Sequence, residues 1–208
     1  MILGALRAKS IHIYRIMTNS PPTPALSRSQ VLIVMLVTAI ILIGVGKLWI
    51  FMFEVKNVSL NFSWLNLGLG LGLGLLITGI SSLIYEFWQD YRTAANTYLE
   101  MVLKPLEMQD LVWLGILPGL SEEFLFRGVA IPGLGMNWQA IAITSLVFGF
   151  LHMAEMKYWQ YTVWAAIVGA GFGAITIYSD SLLPAVTAHI FTNSLSGLIW
   201  KLRAARGS

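Results

Sequence analysis

Long apolar runs determine what this chain can fold into. Six of them approach the roughly 20 residues that an α-helix needs to cross the hydrocarbon core of a bilayer. Backbone polar groups must be satisfied within lipid, and a helix satisfies them inside one segment. We therefore predict an all-α, polytopic transmembrane helical bundle of about six spans. The predicted spans are Val31–Met52, Trp64–Glu86, Leu111–Ile131, Trp138–Met153, Trp159–Tyr178 and Leu183–Trp200.

The composition supports a membrane location. Only 11% of the 208 residues are charged and 57% are hydrophobic, whereas soluble domains carry about 25% charged residues. Lipid is therefore the expected solvent and partner, and we predict a multi-pass integral protein of the plasma membrane or an equivalent membrane. The chain has no cysteine, which excludes disulfides and thiolate metal sites.

Basic residues are distributed unequally between the predicted loops. Ten Lys and Arg residues fall on the side that holds both termini, and Lys56 alone falls on the other. Because cytoplasmic loops are enriched in Lys and Arg, both termini are predicted to be cytoplasmic. The cations flank apolar runs and form no basic stripe, so we expect no nucleic-acid partner.

Glycines are spaced four residues apart in two predicted spans. The second span alternates Leu and Gly, which in lipid we interpret as a helix, because an isolated strand leaves its backbone unpaired. Small residues at this spacing let another helix approach closely. The pairs are Gly68/Gly72, Gly70/Gly74 and, in the fifth span, Gly169/Gly173.

The third span contains charged residues, which are costly in lipid and indicate function by default. Glu123 and Arg127 lie four residues apart, on one helical face, where they can neutralise each other. Glu122 points about 100° away and lacks that partner, so it is a candidate general acid or base. The structural alternative is a buried ion pair beside a helix cap formed by Ser121.

Histidines occur in two further spans. Phe148 and His152 share one helical face of the fourth, and His189 and Asn193 share one of the sixth. A single His in an apolar helix is more often a structural residue, and a His/Asn pair can serve as a polar contact between helices. Together with Glu122, however, they supply the base, second proton carrier and oxyanion donors that hydrolysis by activated water requires. Their convergence in one bundle core requires broken or tilted helices.

The order of these motifs resembles that of a known family. Glu-Glu-x-x-x-Arg, Phe-x-x-x-His and His-x-x-x-Asn, on successive apolar helices, are similar to the CAAX prenyl-protease and bacteriocin-processing family (CPBP, or Abi) of intramembrane glutamic proteases. The resemblance covers roughly residues 109–203. The matching residues are Glu122, Glu123, Arg127, Phe148, His152, His189 and Asn193, flanked by Gly128 and Leu183-Pro184.

This resemblance implies an intramembrane endopeptidase that hydrolyses a peptide bond with activated water. Glu122 would be the base, assisted by His152. His189 and Asn193 would stabilise the oxyanion. The expected substrate is a membrane-associated or lipidated protein or peptide, and no cofactor is expected. The residues that would orient the site are Glu123, Arg127 and Phe148.

The same resemblance divides the chain into four predicted segments. A basic N-terminal tail, residues 1–30, precedes two transmembrane helices and a polar connecting segment at 31–108. A CPBP-like catalytic membrane core follows at 109–203, and a short tail at 204–208. The charges of the connecting segment, around residues 87–110, are expected to form a solvated face and not a site.

Two other functions remain open at this point. Glu122, His152 and His189 could supply three zinc ligands, which would give a zinc-dependent membrane metalloprotease, although the chain has no His-Glu-x-x-His motif. A non-catalytic membrane scaffold or regulator could keep the same fold and the same polar core.

Overall fold

Helices make up nearly all of the described chain, which covers residues 26–153 and 155–207 of a computed structural model, and this part contains no strand. We number seven helices α1 to α7 in chain order. Their bounds are Arg28–Phe53, Trp64–Phe87, Gln89–Leu103, Leu111–Glu123, Trp138–Leu151, Trp159–Ser179 and Leu183–Gly207. The all-α prediction is confirmed for these residues. The predicted N-terminal tail lies largely outside them.

Three segments of the described chain are long and apolar enough to cross a membrane. They are Arg28–Phe53, Trp64–Phe87 and Met156–Ser179, the last counted with the short 3₁₀ turn before α6. α5 is also apolar but has only 14 residues. The prediction of about six spans is thus supported for three of them, and the remaining spans and the cytoplasmic termini stay predictions.

An irregular stretch separates α4 from α5. After Glu123 the helix continues as a π-helix, Phe124–Ala130, and then as a short α-helix, Ile131–Gly133. π-helical turns are rare and occur frequently at functional sites. The residues Pro118 and Ser121 lie inside α4, and the Ser121 hydroxyl donates to the carbonyl of Leu117. The interpretation of Ser121 as a helix cap is therefore wrong.

α7 is the central helix, and α2, α4 and α6 all pack against it. Gly70 and Gly74 permit the close approach of α2. A Cβ added at Gly70 would lie 2.6 Å from Thr187 Cβ, and one at Gly74 would lie 3.2 Å from the carbonyl oxygen of Ala188. The predicted packing role of this glycine pair is confirmed, whereas that of Gly68 and Gly72 is wrong, since no atom would lie within 4 Å of a Cβ at either position.

Replacing Gly70 with Ala is therefore expected to destabilise the fold by about 1–3 kcal/mol, the usual cost of overpacking a filled interior. Gly72→Ala is the matched control, because its Cβ would meet open space and Ala is a better helix former than Gly. The unfolding midpoint in detergent should fall for Gly70→Ala and hold or rise for Gly72→Ala. Equal midpoints for the two variants would contradict this account of the α2–α7 contact.

Polar and steric contacts attach α1 to the segment that carries the charged motif. Arg28 donates two hydrogen bonds to the carboxylate of Asp110, of 2.7 and 2.8 Å, just before α4 begins. The same contact holds the pKa of Asp110 below its usual value. Near the other end of α1, Gly46 packs directly on the ring of Phe124 in the π-helix. α1 therefore braces α4 from its start to its irregular end.

Candidate active site

Three helices bring together Glu122, His152 and His189. Glu122 lies near the end of α4, His152 directly follows α5, and His189 lies in α7. Glu122 Oε2 is 3.9 Å from His152 Nε2 and 4.0 Å from His189 Nε2. The early end of α5 and the irregular end of α4 supply the broken helices that this convergence requires.

The hydrogen bonds of the two histidines aim both Nε2 atoms at Glu122. His152 Nδ1 is 2.8 Å from the carbonyl oxygen of Phe148. Because a carbonyl oxygen only accepts, Nδ1 of His152 must carry the proton. His189 Nδ1 is 2.7 Å from Glu123 Oε1, so a carboxylate holds the second ring in the same way. In each ring the nitrogen that remains for chemistry is Nε2.

A buried ion pair contacts His189 and supports this arrangement. The side chains of Glu123 and Arg127 are both 0% exposed, and Arg127 Nη1 lies 2.9 Å from Glu123 Oε1. Arg127 Nη2 also donates to the carbonyl of Gly169 at 2.8 Å. A charge buried this deeply requires such partners. Glu123 therefore links the guanidinium to His189.

Aromatic rings fix the planes of the two imidazoles. The centroid of the Phe148 ring lies 4.4 Å from that of His152 and 4.5 Å from the Arg127 guanidinium carbon. The ring of Phe172 stacks on His189 at 5.3 Å, with 20° between the planes. Phe148 was predicted from the motif. Phe172 was missed, and the one available signal was its position one helical turn after Gly169.

The cluster lies at the wall of a cavity of about 650 Å³. The side chains of Glu122 and His152 keep 16% and 20% exposure, so both reach this cavity. Asn193 lines it as well, one turn beyond His189 on α7. Its side-chain nitrogen lies 3.5 Å from the carbonyl oxygen of Leu114, and no hydrogen bond joins Asn193 to the other site residues in the described chain.

α3 contributes to the cavity, which the sequence did not indicate. Its charged residues Asp90 and Glu100 are exposed, as expected for a solvated face. Glu100 nevertheless also lies in the cavity lining, together with Tyr91, Tyr98 and Leu99. The segment therefore combines a solvated face with a wall of the cavity.

Metal ligation finds no geometric support in the described residues. Over 26–153 and 155–207, no group of three or more His, Cys, Asp or Glu side chains has an arrangement that could hold a metal ion. The three side chains considered for zinc do converge. Glu122 Oε2 lies 3.9 Å from His152 Nε2 and 4.0 Å from His189 Nε2.

Gly169 supports the site in a way that helix packing alone did not suggest. A Cβ at this position would lie 2.9 Å from Arg127 Nη2 and 3.1 Å from Phe148 Cδ1. Gly169→Ala is therefore expected to displace the guanidinium and to cost about 1–3 kcal/mol of stability. Gly171→Ala on the same helix is the control, because nothing lies within 4 Å of its Cβ. Equal unfolding midpoints in detergent for the two variants would contradict this role.

Comparison with known proteins finds a family for part of the chain. Residues 104–195 match the family model described as Rce1-like, type II CAAX prenyl endopeptidase. The matched range is similar to that family and makes up less than half of the chain. The resemblance inferred from the motifs is thereby confirmed, and all seven predicted site residues fall inside the matched range. Neither the curated proteins nor the solved structures contain a match to the chain.

The matched range accounts for only part of the cavity. It contains α4, α5, α6 and the first half of α7, whereas α1, α2 and α3 precede it. All three preceding helices line the cavity, through residues such as Met35, Ile77 and Tyr98. The candidate site residues thus lie within the matched range, and much of the remaining wall comes from outside it.

Proposed function

We propose that this protein is an intramembrane endopeptidase of the glutamic type, which hydrolyses a peptide bond near the membrane with a water molecule activated by Glu122 and His152. The similarity of residues 104–195 to a peptidase family supports the reaction class. The observation that carries the mechanism is the meeting of Glu122 Oε2 with two histidine Nε2 atoms at the cavity wall.

The proposed reaction has two steps, both beside Glu122 at the cavity wall. The water oxygen bonds to the carbonyl carbon of the scissile peptide while a water proton passes to Glu122, a general base within reach of the cavity. The tetrahedral intermediate then collapses, the carbon–nitrogen bond breaks, and the proton passes from Glu122 to the departing amine nitrogen. His152 Nε2, held toward Glu122 by the bond from Nδ1 to Phe148, assists this transfer.

Stabilisation of the oxyanion is assigned to His189 and Asn193. His189 already donates from Nδ1 to Glu123, so donation from Nε2 requires a proton on both nitrogens. Asn193 adds a neutral donor to the same cavity wall.

The proposed substrate is a membrane-associated or lipidated protein or peptide. The cavity is large enough for more than an extended peptide, at about 650 Å³. Apolar side chains from α1 and α7, among them Val34, Met35 and Ile199, line it beside the polar cluster. Such a lining accommodates an acyl or prenyl chain next to the bond that is cut. We further propose about six spans in the plasma membrane or an equivalent membrane, with both termini cytoplasmic and no cofactor.

The test is a cleavage assay with the purified protein in lipid vesicles. Substrates are farnesylated peptides and the same peptides without the lipid, with mass spectrometry to locate the cut. We expect cleavage by the wild type, loss of cleavage in His152→Ala, and no effect of a chelator. Inhibition by the chelator with recovery on added zinc would instead establish the metalloprotease. An intact, folded wild type that cleaves no member of the panel would favour the scaffold.

A further inference from the structure

A row of aromatic residues forms part of the cavity wall. The rings of Tyr91 and Tyr161 lie 6.3 Å apart at 27°, and those of Tyr98 and Tyr161 lie 5.0 Å apart at 26°. All three residues line the cavity that also contains Glu122 and His152. α3 and the start of α6 thus build a rigid aromatic face beside the catalytic cluster.

The hydroxyl groups in this cavity fall into two classes. Tyr85 donates to the side-chain oxygen of Asn96 at 2.9 Å, so its hydroxyl is satisfied by the protein. Tyr98 and Tyr161 make contacts through their rings. Neither hydroxyl has a hydrogen bond to any described residue. Half-buried tyrosines usually place the hydroxyl against a partner. These two hydroxyls are therefore available to a molecule in the cavity.

Tyr98 keeps its proton under physiological conditions. Burial raises the pKa of Tyr98 to about 12, and the nearby Glu122 carboxylate adds to that rise. The phenol is therefore a neutral donor at the pH of the cell. The phenol lines the same cavity as the carboxylate that would activate water.

A peptide that enters this cavity needs such donors. An extended segment carries backbone carbonyl oxygens that lose their water on entry, and an unpaired buried carbonyl is costly. The lining is mostly apolar, although it also includes polar side chains such as Ser82, Thr192 and Asn193. Two free hydroxyls held by stacking, beside Glu122 and His152, have the required chemistry and position.

We propose that the hydroxyls of Tyr98 and Tyr161 donate hydrogen bonds to the backbone carbonyls of a substrate peptide and hold it in register with Glu122. They are positioning residues and not catalytic residues. The inference rests on the proposed function, because it concerns the same cavity. It goes beyond the family match, because Tyr98 lies in α3, outside the matched residues.

The experiment measures binding as well as cleavage. A fluorescent, farnesylated peptide is titrated onto the inactive Glu122→Gln protein in vesicles, and onto the same protein with Tyr98→Phe and Tyr161→Phe added. Phenylalanine keeps the stacked rings and removes only the donors. Loss of two hydrogen bonds is expected to raise Kd roughly tenfold or more, and each single change to raise it by a smaller factor. Tyr178→Phe, whose residue is 80% exposed at the end of α6, is the control.

Cleavage by the otherwise wild-type protein gives a second readout. The double phenylalanine variant should raise KM by a similar factor and lower kcat by less than about threefold, a split that a folding defect would not produce. A Kd within twofold of the parent protein would overturn the inference, even if Glu122→Gln abolishes cleavage as proposed. Failure of the wild type to cleave, with the Kd shift still present, would instead count against the proposed reaction alone.

Discussion

Replacing Glu122 with glutamine is expected to lower kcat by about 10²- to 10⁴-fold, the range typical for loss of a positioned general base. The amide is nearly isosteric with the carboxyl group but cannot take a proton from water. The variant should remain folded, because Glu122 Oε2 makes no hydrogen bond to the described protein. The measurement is kcat at saturating peptide, with the unfolding midpoint recorded on the same samples.

Glu155→Gln is the matched control for this experiment. Glu155 lies three residues after His152, but its side chain is 55% exposed and paired with Lys157 at 2.8 Å. The same chemical change at this surface carboxylate should alter kcat by less than about twofold, since exposed ion pairs contribute little. If Glu122→Gln retained wild-type kcat while Glu155→Gln did not, the base would have been assigned to the wrong residue.

The predictable part of the site follows from helical periodicity. Glu123 and Arg127 are four residues apart, and so are Phe148 and His152, and this spacing places each pair on one face. The contacts between Arg127 and Glu123, and between Phe148 and His152, have that origin. The convergence of three helices on Glu122 was inferred from the combination of motifs, whereas the positions of the helix irregularities after Glu123 and Leu151 were not predicted.

The unpredicted part depends on packing between segments that are distant in the sequence. A proline inside a helix usually kinks or breaks it, yet α4 runs through Pro118 and becomes irregular only after Glu123. The carbonyl oxygen of Gly169 accepts a hydrogen bond from Arg127. The sequence shows only a small residue in a helix and therefore does not predict this contact. The contribution of Tyr98 is equally hidden, because amphipathic periodicity does not show what the apolar face of α3 covers.

The fold also has a part that the sequence predicts and a part that it does not. The bounds of α1, α2, α6 and the start of α7 follow closely from runs of apolar residues, because lipid selects long uninterrupted helices. Within the Leu-Gly repeat, only Gly70 and Gly74 face another helix. The sequence cannot distinguish this pair from Gly68 and Gly72, since both have the same spacing and differ only in which face meets α7.

The second large effect is expected from the buried ion pair. Arg127→Met would leave the Glu123 carboxylate fully buried with His189 as its main partner. Breaking a buried pair by removing one member typically costs about 3–5 kcal/mol, because an uncompensated charge remains. The unfolding midpoint in detergent should therefore fall sharply, and cleavage should fall with it. Lys157→Met removes the cation of an exposed pair and should shift stability by less than about 1 kcal/mol.

A double variant separates charge from packing. Adding Glu123→Gln to Arg127→Met removes both charges, so a substantial part of the lost stability should return. If the two changes acted independently, their losses of stability would add instead. Activity should not return, because His189 loses the carboxylate that fixes its Nδ1 proton and aims its Nε2 at Glu122. Recovery of both stability and kcat in the double variant would show that the pair only fills space. Recovery of stability alone would show that the protein carries a buried charge pair in order to orient a histidine.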